Sequence, residues 1–581
     1  MKTMVTSRSV DRQSGEQRRR VHADASLESQ IQKLRDRESL PSDTLTDERK
    51  KEIVELACAV YPSVAALRQR HLESRQRDFA RTLAESREAV MNHAAWSSML
   101  SVDSATGHRF VIGFRNVGCA YWRQDPFHLG CFNCGYCSGV AAQLQPTLHE
   151  LETQFENALR QAIETNVDFD VVEFLNDGSF FNDEEFAPAF RQRLFHRLNS
   201  LPYVTRVLVE TRPEYVTREC ISQVLSELAP GKKLEVAIGL ESADEFIRGV
   251  CIRKGFDRAD FEEAIRCLSP FGDRVQVVAY SLVKPAFLSE MEAVEDAVHT
   301  AQYLAGLSAQ SKCRIVLKLE PAVVAEGTLL DLLYFHGQDA VGHPYSVMSY
   351  WSVLEILCRL RQKDIRLPVR IGAREDMDIV QKVPALYNAD GMFNKWDFVL
   401  YEAVQHFNIH RALPRLLAEV DEMFSDTSFD IWKKHLGLTS SAIDDCRARL
   451  APEIVQAKQG SDERSRSVFL GKIFAALNRI EYSEKGRRYA RTLARRTRRH
   501  GTEEMRASVE RFVRGEFRRI AKDFWVRVQD VYFEVDEPQL MRVSLQVRDL
   551  SVKGSLYSVW TGIPTGRVKG VRPRGGPIRQ R

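Results

Sequence analysis

Arg109-Phe-Val-Ile-Gly-Phe114 runs through Arg-Asn-Val-Gly into Cys119, and after eleven intervening residues comes Cys131-Phe-Asn-Cys134-Gly-Tyr-Cys137. A short apolar run that opens into a cysteine-bearing connection reads as a strand followed by a loop. Five more runs rich in Val, Ile, Leu and Phe follow, at Phe169–Leu175, Arg206–Glu210, Leu234–Leu240, Arg274–Val283 and Arg314–Leu319. Near-continuous apolar runs of this length fit parallel strands buried on both faces. Helical segments separate them near Leu148–Thr165, Glu184–Asn199, Arg218–Leu228, Arg258–Leu268 and Glu290–Leu307, and Ser289 stands three residues before Glu292, the spacing of a capping box. Six strands alternating with five helices predict an α/β fold of repeated βα units, open or closed, two units short of the eight of a closed barrel.

Working outward, residues 1–45 are polar and without clear periodicity, and are expected to be disordered. Residues 46–105 read as a helical extension, 106–345 as the βα core, 346–525 as a mainly helical region with no repeated βα unit. Runs at Phe524–Val535 and Leu540–Val547 predict a small β element over 526–561, and the Gly/Pro/Arg-rich end 562–581 predicts a flexible basic tail. The 581 residues are 44% hydrophobic and 28% charged, which excludes a collagen, a mucin or a wholly disordered chain. With no apolar run of membrane-spanning length and no apolar stretch behind the charged N-terminus, the expectation is a cytoplasmic protein that does not engage a membrane.

The net charge of +4 conceals an asymmetry. Lys485–Arg527 holds 15 Lys and Arg against 5 acids, and Pro564–Arg581 holds 6 against none, which leaves the rest of the chain at −12. Tyr489, Phe512, Phe517, Phe524 and Trp525 interleave with the arginines of the first stretch. Guanidinium groups fork onto phosphates and aromatic rings stack on unpaired bases, so an RNA partner is one reading. The other is an amphipathic helix with Phe512, Phe517 and Ile520 on its buried face.

Four of the eleven cysteines fall within 19 residues, which is a metal or redox pattern and not a disulfide framework. A structural zinc site would want four ligands, often as two pairs, and no second pair follows. A ferredoxin-type run would continue with a fourth cysteine and Pro, whereas Cys137 is followed by Ser-Gly-Val-Ala. The third reading is a [4Fe–4S] cluster on three cysteines with one iron left open. Spacing alone leaves the three open.

Further short stretches add a resemblance. They are Gly130-Cys-Phe-Asn-Cys-Gly-Tyr136, Asn176-Asp-Gly-Ser-Phe-Phe181, Glu210-Thr-Arg-Pro-Glu-Tyr215 and Leu234-Glu-Val-Ala-Ile-Gly-Leu-Glu241. After them come Arg253-Lys-Gly-Phe256, Leu282-Val-Lys-Pro285, Phe287-Leu-Ser-Glu290 and Gly327-Thr-Leu329. In this order they resemble the radical S-adenosylmethionine (SAM) enzymes, within them the radical SAM subunit of archaeosine synthase and, more distantly, the catalytic subunit of Elongator. No acetyltransferase-like glycine motif follows, unlike a complete Elongator subunit.

The resemblance implies a radical SAM (βα)6 partial barrel over about 108–360, with a [4Fe–4S] cluster held by Cys119, Cys131 and Cys134. An alternative register would use Cys134 and Cys137. It implies reductive cleavage of SAM to a 5′-deoxyadenosyl radical for modification of a tRNA nucleoside, with a peptide or metabolite as the alternative substrate. It also implies an external electron donor such as flavodoxin or ferredoxin, and a second subunit that prepares the substrate. Gly178 and Ser179 would turn backbone groups toward the SAM amino group, against the simpler reading of a tight turn. Glu210 and Arg212, and Glu241 and Ser242, end two strands and so face the ligand crevice. A carboxylate there accepts from ribose hydroxyls or an ammonium and Arg212 pairs with a carboxylate, unless Glu210 or Glu241 pairs internally with Arg212. Lys254 is a candidate for cofactor binding and Lys284, directly behind an apolar strand, for catalysis; the alternative for each is a surface charge. His336 and His343 receive no role.

Overall fold

The computed structural model describes residues 26–94, 96–100, 109–132 without 116, 126 and 128–129, 146–164, and 168–372 without 177 and 326. It also describes 381–383, 386–387, 395–459 without 426, and the strands of 526–564. The chain divides into two compact units, Met1–Ser346 with Ile365–Gln381, and Val347–Asp364 with Lys382–Arg581.

The first unit is built on one curled sheet. Its strands are β1 (Trp96–Leu100), β2 (Arg109–Gly113), β3 (Val171–Phe174), β4 (Arg206–Thr211), β5 (Lys233–Glu241), β6 (Val275–Val283), β7 (Ile315–Pro321) and β8 (Val369–Ile371). They lie side by side in chain order; β1 runs antiparallel to β2 and the other seven are mutually parallel, which makes a half-barrel. β2 to β7 match the six expected strands, and β1 and β8 extend the sheet at its two edges. β8 falls in a segment expected to be mainly helical with no repeated βα unit; it is only three residues long, too short for an apolar run to register.

Val207, Val209, Val236, Ile238 and Val277 make one face of the sheet apolar and fully buried, as a helix-covered face requires. The alternate positions carry charge. Arg109 pairs with Glu173 across β2 and β3, while Glu235 of β5 binds Arg206 at 3.2 Å and Arg370 at 2.9 Å. Along the same face of β4, Leu208 packs with Ala237 and Val278, and Glu210 lies beyond it toward the C-terminal ends of the strands.

The expectation of disorder over 1–45 is corrected for 26–45. Ser26 caps a helix, α1 (Leu27–Asp36), by accepting from the Ser29 amide, and Leu34 is buried. Ser42 and Thr44 then donate side-chain or backbone hydrogen bonds to the buried carboxylate of Asp244 at 2.6–3.3 Å. A polar segment of this kind is ordered by partners two hundred residues away, which no local pattern reveals. The extension expected over 46–105 is a 45-residue helix, α2 (Asp47–Met91), followed by β1. Ile53, Ala57, Val60, Tyr61 and Val64 recur at helical spacing and are fully buried. A short helix that was not expected, α3 (Ala120–Gln124), follows Cys119, and the five expected helices fall close to their places as α4 (Leu148–Glu164), α5 (Pro188–Asn199), α6 (Arg218–Glu227), α7 (Arg258–Leu268) and α8 (Glu290–Ser311). α5 starts at Pro188 and not at Glu184, since Pro is suited to the first helical position. The capping box of Ser289 and Glu292 is formed. A further helix, α9 (Leu329–Val341), follows β7.

In the second unit, α10 (Tyr350–Gln362) packs Trp351 against Phe429, and the Trp432 indole donates to Ser352 at 2.7 Å. Glu355 accepts from the Ala442 and Ile443 amides at the start of the helix Ala442–Arg449. The expected pair of strands is a three-stranded antiparallel sheet of Val526–Asp536, Leu540–Asp549 and Leu556–Pro564, so 562–564 belong to a strand and not to the tail. The rest of the basic stretch and of the tail, 460–525 and 565–581, lies outside the described residues. Among the described residues no helix is long and apolar enough to cross a membrane.

Candidate active site at the C-terminal edge of the half-barrel

The segment behind β2 reaches Cys119, which precedes the short helix α3. Cys131 is buried; Cys134 and Cys137 lie outside the described residues. Burial pushes the Cys119 thiol up to about 12, with Arg212 pulling it down and Glu185 and Cys131 adding to the rise. Cys119 and Cys131 both act electrostatically on Arg212 at the end of β4. Among the described residues no group of three His, Cys, Asp or Glu is placed to hold a metal ion.

Arg212 is buried and densely partnered. It pairs with Glu214 at 2.5 Å, donates to the Lys254 carbonyl at 3.0 Å, and stacks over the Tyr121 ring at 4.3 Å. Burial opposes its charge, but Glu214, then Cys131, Cys119 and Tyr121, favour it, so it stays a cation beside the two cysteines. The sequence offers Glu210 or Glu241 as its internal partner; the acid it meets is Glu214. Glu241 pairs instead with Lys254 at 2.6 Å. A side chain at Gly239 would meet both members of that pair, so glycine there keeps the space open.

Gly178 and Ser179 form the turn behind β3. The carboxylate of Glu185 accepts from the Ser179 amide, from the Ala120 amide at 2.8 Å and from Asn182 at 2.9 Å. One buried carboxylate thus ties this turn to the residue after Cys119. A methyl group at Gly178 would run into it. The Ser179 hydroxyl accepts from the Arg212 amide at 3.1 Å, joining the ends of β3 and β4.

Glu210 keeps part of its surface accessible, yet protein crowds its carboxyl, and this crowding sets the cost of charging it. Desolvation and then the neighbouring Glu173 push it up to about 8, against Lys318 and Tyr280. It accepts from the Asn176 amide at 3.2 Å. Lys318 pairs with Glu320 at 2.7 Å and lies over the Tyr280 ring, so β4, β6 and β7 contribute one polar group.

Two of the predicted residues point elsewhere. The Ser242 hydroxyl is fully buried and donates to Asp296 of α8 at 2.6 Å. Lys284 is enclosed, donating to the Ser346 carbonyl at 2.6 Å and hydroxyl at 2.7 Å, with Glu290 at 4.0 Å; burial lowers its pKa. Both Glu241 (φ 68°) and Lys284 (φ 63°) adopt left-handed backbone at strand ends, as does Arg253 (φ 58°) before Lys254. Non-glycine residues in this region cost energy and gather at functional sites. Tyr121, Glu185 and Arg253 were not foreseen. Arg253 pairs with Asp125 and donates to the Gly130 carbonyl at 2.9 Å, and only its place in the Arg-Lys-Gly-Phe stretch pointed to it.

A parallel half-barrel with cysteines in its first strand-to-helix connection, and with cationic and carboxylate side chains at the ends of the next strands, defines an α/β protein with a strand-end site. The chain is 33% identical over 276 residues, 48% of its own length and 73% of the relative's, to archaeosine synthase subunit beta of Methanosarcina acetivorans. The Thermococcus kodakarensis protein of the same name is 28% identical, over 46% of this chain and 76% of its own. An uncharacterised protein of Methanocaldococcus jannaschii is 26% identical over 51% of this chain and 74% of its own. No family model matches the chain. The chain belongs to the archaeosine synthase subunit beta family.

Proposed function

We propose that the protein is a radical SAM enzyme that modifies a tRNA nucleoside as part of an archaeosine synthase-like complex. The observation that carries this reading is that Cys119 and Cys131, on either side of α3 behind β2, interact electrostatically with one another and with the cationic Arg212. The names of the relatives supply the nucleoside and the subunit partnership.

The donor set fits an iron–sulfur cluster. Thiolates are the usual ligands of such clusters, and the cationic Arg212 acts electrostatically on both Cys119 and Cys131, with Arg253 on the Gly130 carbonyl next to Cys131. Cys119, Cys131 and Cys134 would hold it, and SAM would lie against Gly178, Ser179, Glu210, Arg212, Glu241 and Lys254. When bound, the cluster supplies one electron for reductive cleavage of SAM, from an external donor such as flavodoxin or ferredoxin. The chain's own work is placement. Glu185 fixes the Gly178–Ser179 turn against the Cys119 segment, and Arg212 holds positive charge where thiolates must form. Glu210, at about 8, stores a proton near neutrality at the strand ends. Ser242 and Lys284, tied to Asp296 and Ser346, enter this reading as supports of the strand ends and not as contacts to SAM or substrate.

The test is anaerobic reconstitution followed by SAM cleavage with bulk tRNA. We expect iron and sulfide to load, and Cys119→Ala, Cys131→Ala or Cys134→Ala to abolish both the chromophore and cleavage, with Cys137→Ala milder. Stoichiometric zinc without iron would overturn the chemistry. An active Cys131→Ala beside a dead Cys137→Ala would overturn the ligand register.

A further inference from the structure

The segment that carries Cys131 is held by the N-terminal helix. Arg68 of α2 is 1% exposed. Its Nη2 donates to the carbonyls of Cys131 and Phe132, both at 3.4 Å, and its Nε donates to the Gly327 carbonyl at 2.9 Å. Tyr61, seven residues earlier and so on the same face of the helix, meets the Phe132 ring edge-on with centroids 6.3 Å apart. Phe132 is further pinned by its amide to Ile252 at 2.9 Å and by the Leu329 amide, at the start of α9, to its carbonyl at 3.1 Å. One planar guanidinium therefore spans two chain segments that meet behind Cys131, a task for which its fixed fork of donors is suited and a lysine ammonium is not.

We propose that Arg68 is the positioning residue for Cys131, so that α2 is a working part of the cysteine site and not an appended helix. The role of the site as a cluster pocket rests on the function proposed above; the clamp itself rests on the contacts of Arg68 alone. A ligand loop must hold its donors within a fraction of an ångström, and a loop with untied carbonyls samples open states in which its thiol is reachable.

The experiment uses the full metal-free chain and site-resolved alkylation by iodoacetamide, with buried Cys251 and Cys313 as internal references. In Arg68→Gln we expect Cys131 to label at least about tenfold faster relative to the references, as loss of charged hydrogen bonds in a local opening would give. Arg68→Lys, which can fold even if the first variant does not, should be intermediate. Unchanged Cys131 rates in both variants would overturn the proposal. So would rates that rise only together with Cys251 and Cys313, since Arg68 would then serve general stability. After reconstitution, Arg68→Gln should take up less iron and sulfide than the wild type. A wild type that takes up neither would overturn the cluster reading, with the alkylation rates still deciding on Arg68.

Discussion

Asp296 shows how one side chain can be read for its cost. It is 1% exposed, accepts from Ser242, and feels the charges of Asp244 and Arg248. Burial pushes its pKa up to about 8, with Ser242 opposing and Asp244 adding to the rise. A carboxyl raised in the folded state leaves stability intact below its unfolded pKa and withdraws it as pH climbs through the folded value. Asp296→Asn should therefore match the wild type near pH 4 and gain in melting temperature up to about pH 8, then level off. Parallel melting curves across that range would refute the assignment. Burial pushes the Glu185 carboxyl up as well, but its oxygens accept from three donors, so its replacement carries a cost of another kind. Glu185→Ala leaves buried donors unmet and should cost about 2–4 kcal/mol in urea unfolding. Glu185→Gln keeps an acceptor and should cost less; equal losses in the two variants would argue against this role.

At the scale of elements, helix ends test the backbone reading most cleanly. α8 ends on Lys312 in left-handed backbone (φ 57°), and the side chain is exposed. Lys312→Gly removes the steric cost of that conformation and should raise stability by up to about 1 kcal/mol, measured by denaturant midpoint; a loss would mean that the lysine side chain contributes more than its strain costs. The elements themselves were legible to different degrees. β2 to β7 announce themselves because a strand covered on both faces must be apolar along its length. β8 and β1 do not, being short edge strands whose pairing is decided by their neighbours. α1 was hidden by a polar composition, since it buries only Gln30 and Leu34, and the segment behind it is anchored by the contacts of Ser42 and Thr44 to Asp244. The candidate site divides in the same way. Glu210, Arg212 and Glu241 follow from topology, because strand ends collect ligands. Arg68, Tyr121 and Glu185 come from other elements, and their roles exist only once the chain is folded. Ser242 follows the end of β5 but bonds to α8, and the register shift at Gly239–Glu241 with the left-handed backbone of Glu241 breaks the alternation by which sequence position assigns faces.

For the whole molecule, charge is the property that the fold subdivides. A body at −12 carries a basic stretch at +10 and a basic tail at +6, and a uniformly acidic body would repel a polyanion unless such a segment received it. The strand-end site is itself mixed in sign, with Arg212 and Lys254 each engaged by a carboxylate, so it offers little unspent positive charge for a nucleic acid backbone. Affinity for RNA should then rest on the basic stretch, and chemistry on the half-barrel. Replacing Arg495, Arg496, Arg498 and Arg499 with Gln tests that separation. Each phosphate neutralised adds about 0.7–0.9 to the slope of log affinity against log salt, so the quadruple variant should lose roughly 3 to 4 from that slope if each arginine meets one phosphate. Its tRNA affinity should fall accordingly at low salt and converge on the wild type at high salt, while SAM cleavage without tRNA stays unchanged. Filter binding across a salt series reads the first effect and uncoupled cleavage the second. An unaltered slope would assign the four arginines to a solvated helix face, where the same change costs only a few tenths of a kcal/mol of stability, and would move the choice of substrate toward a peptide or metabolite.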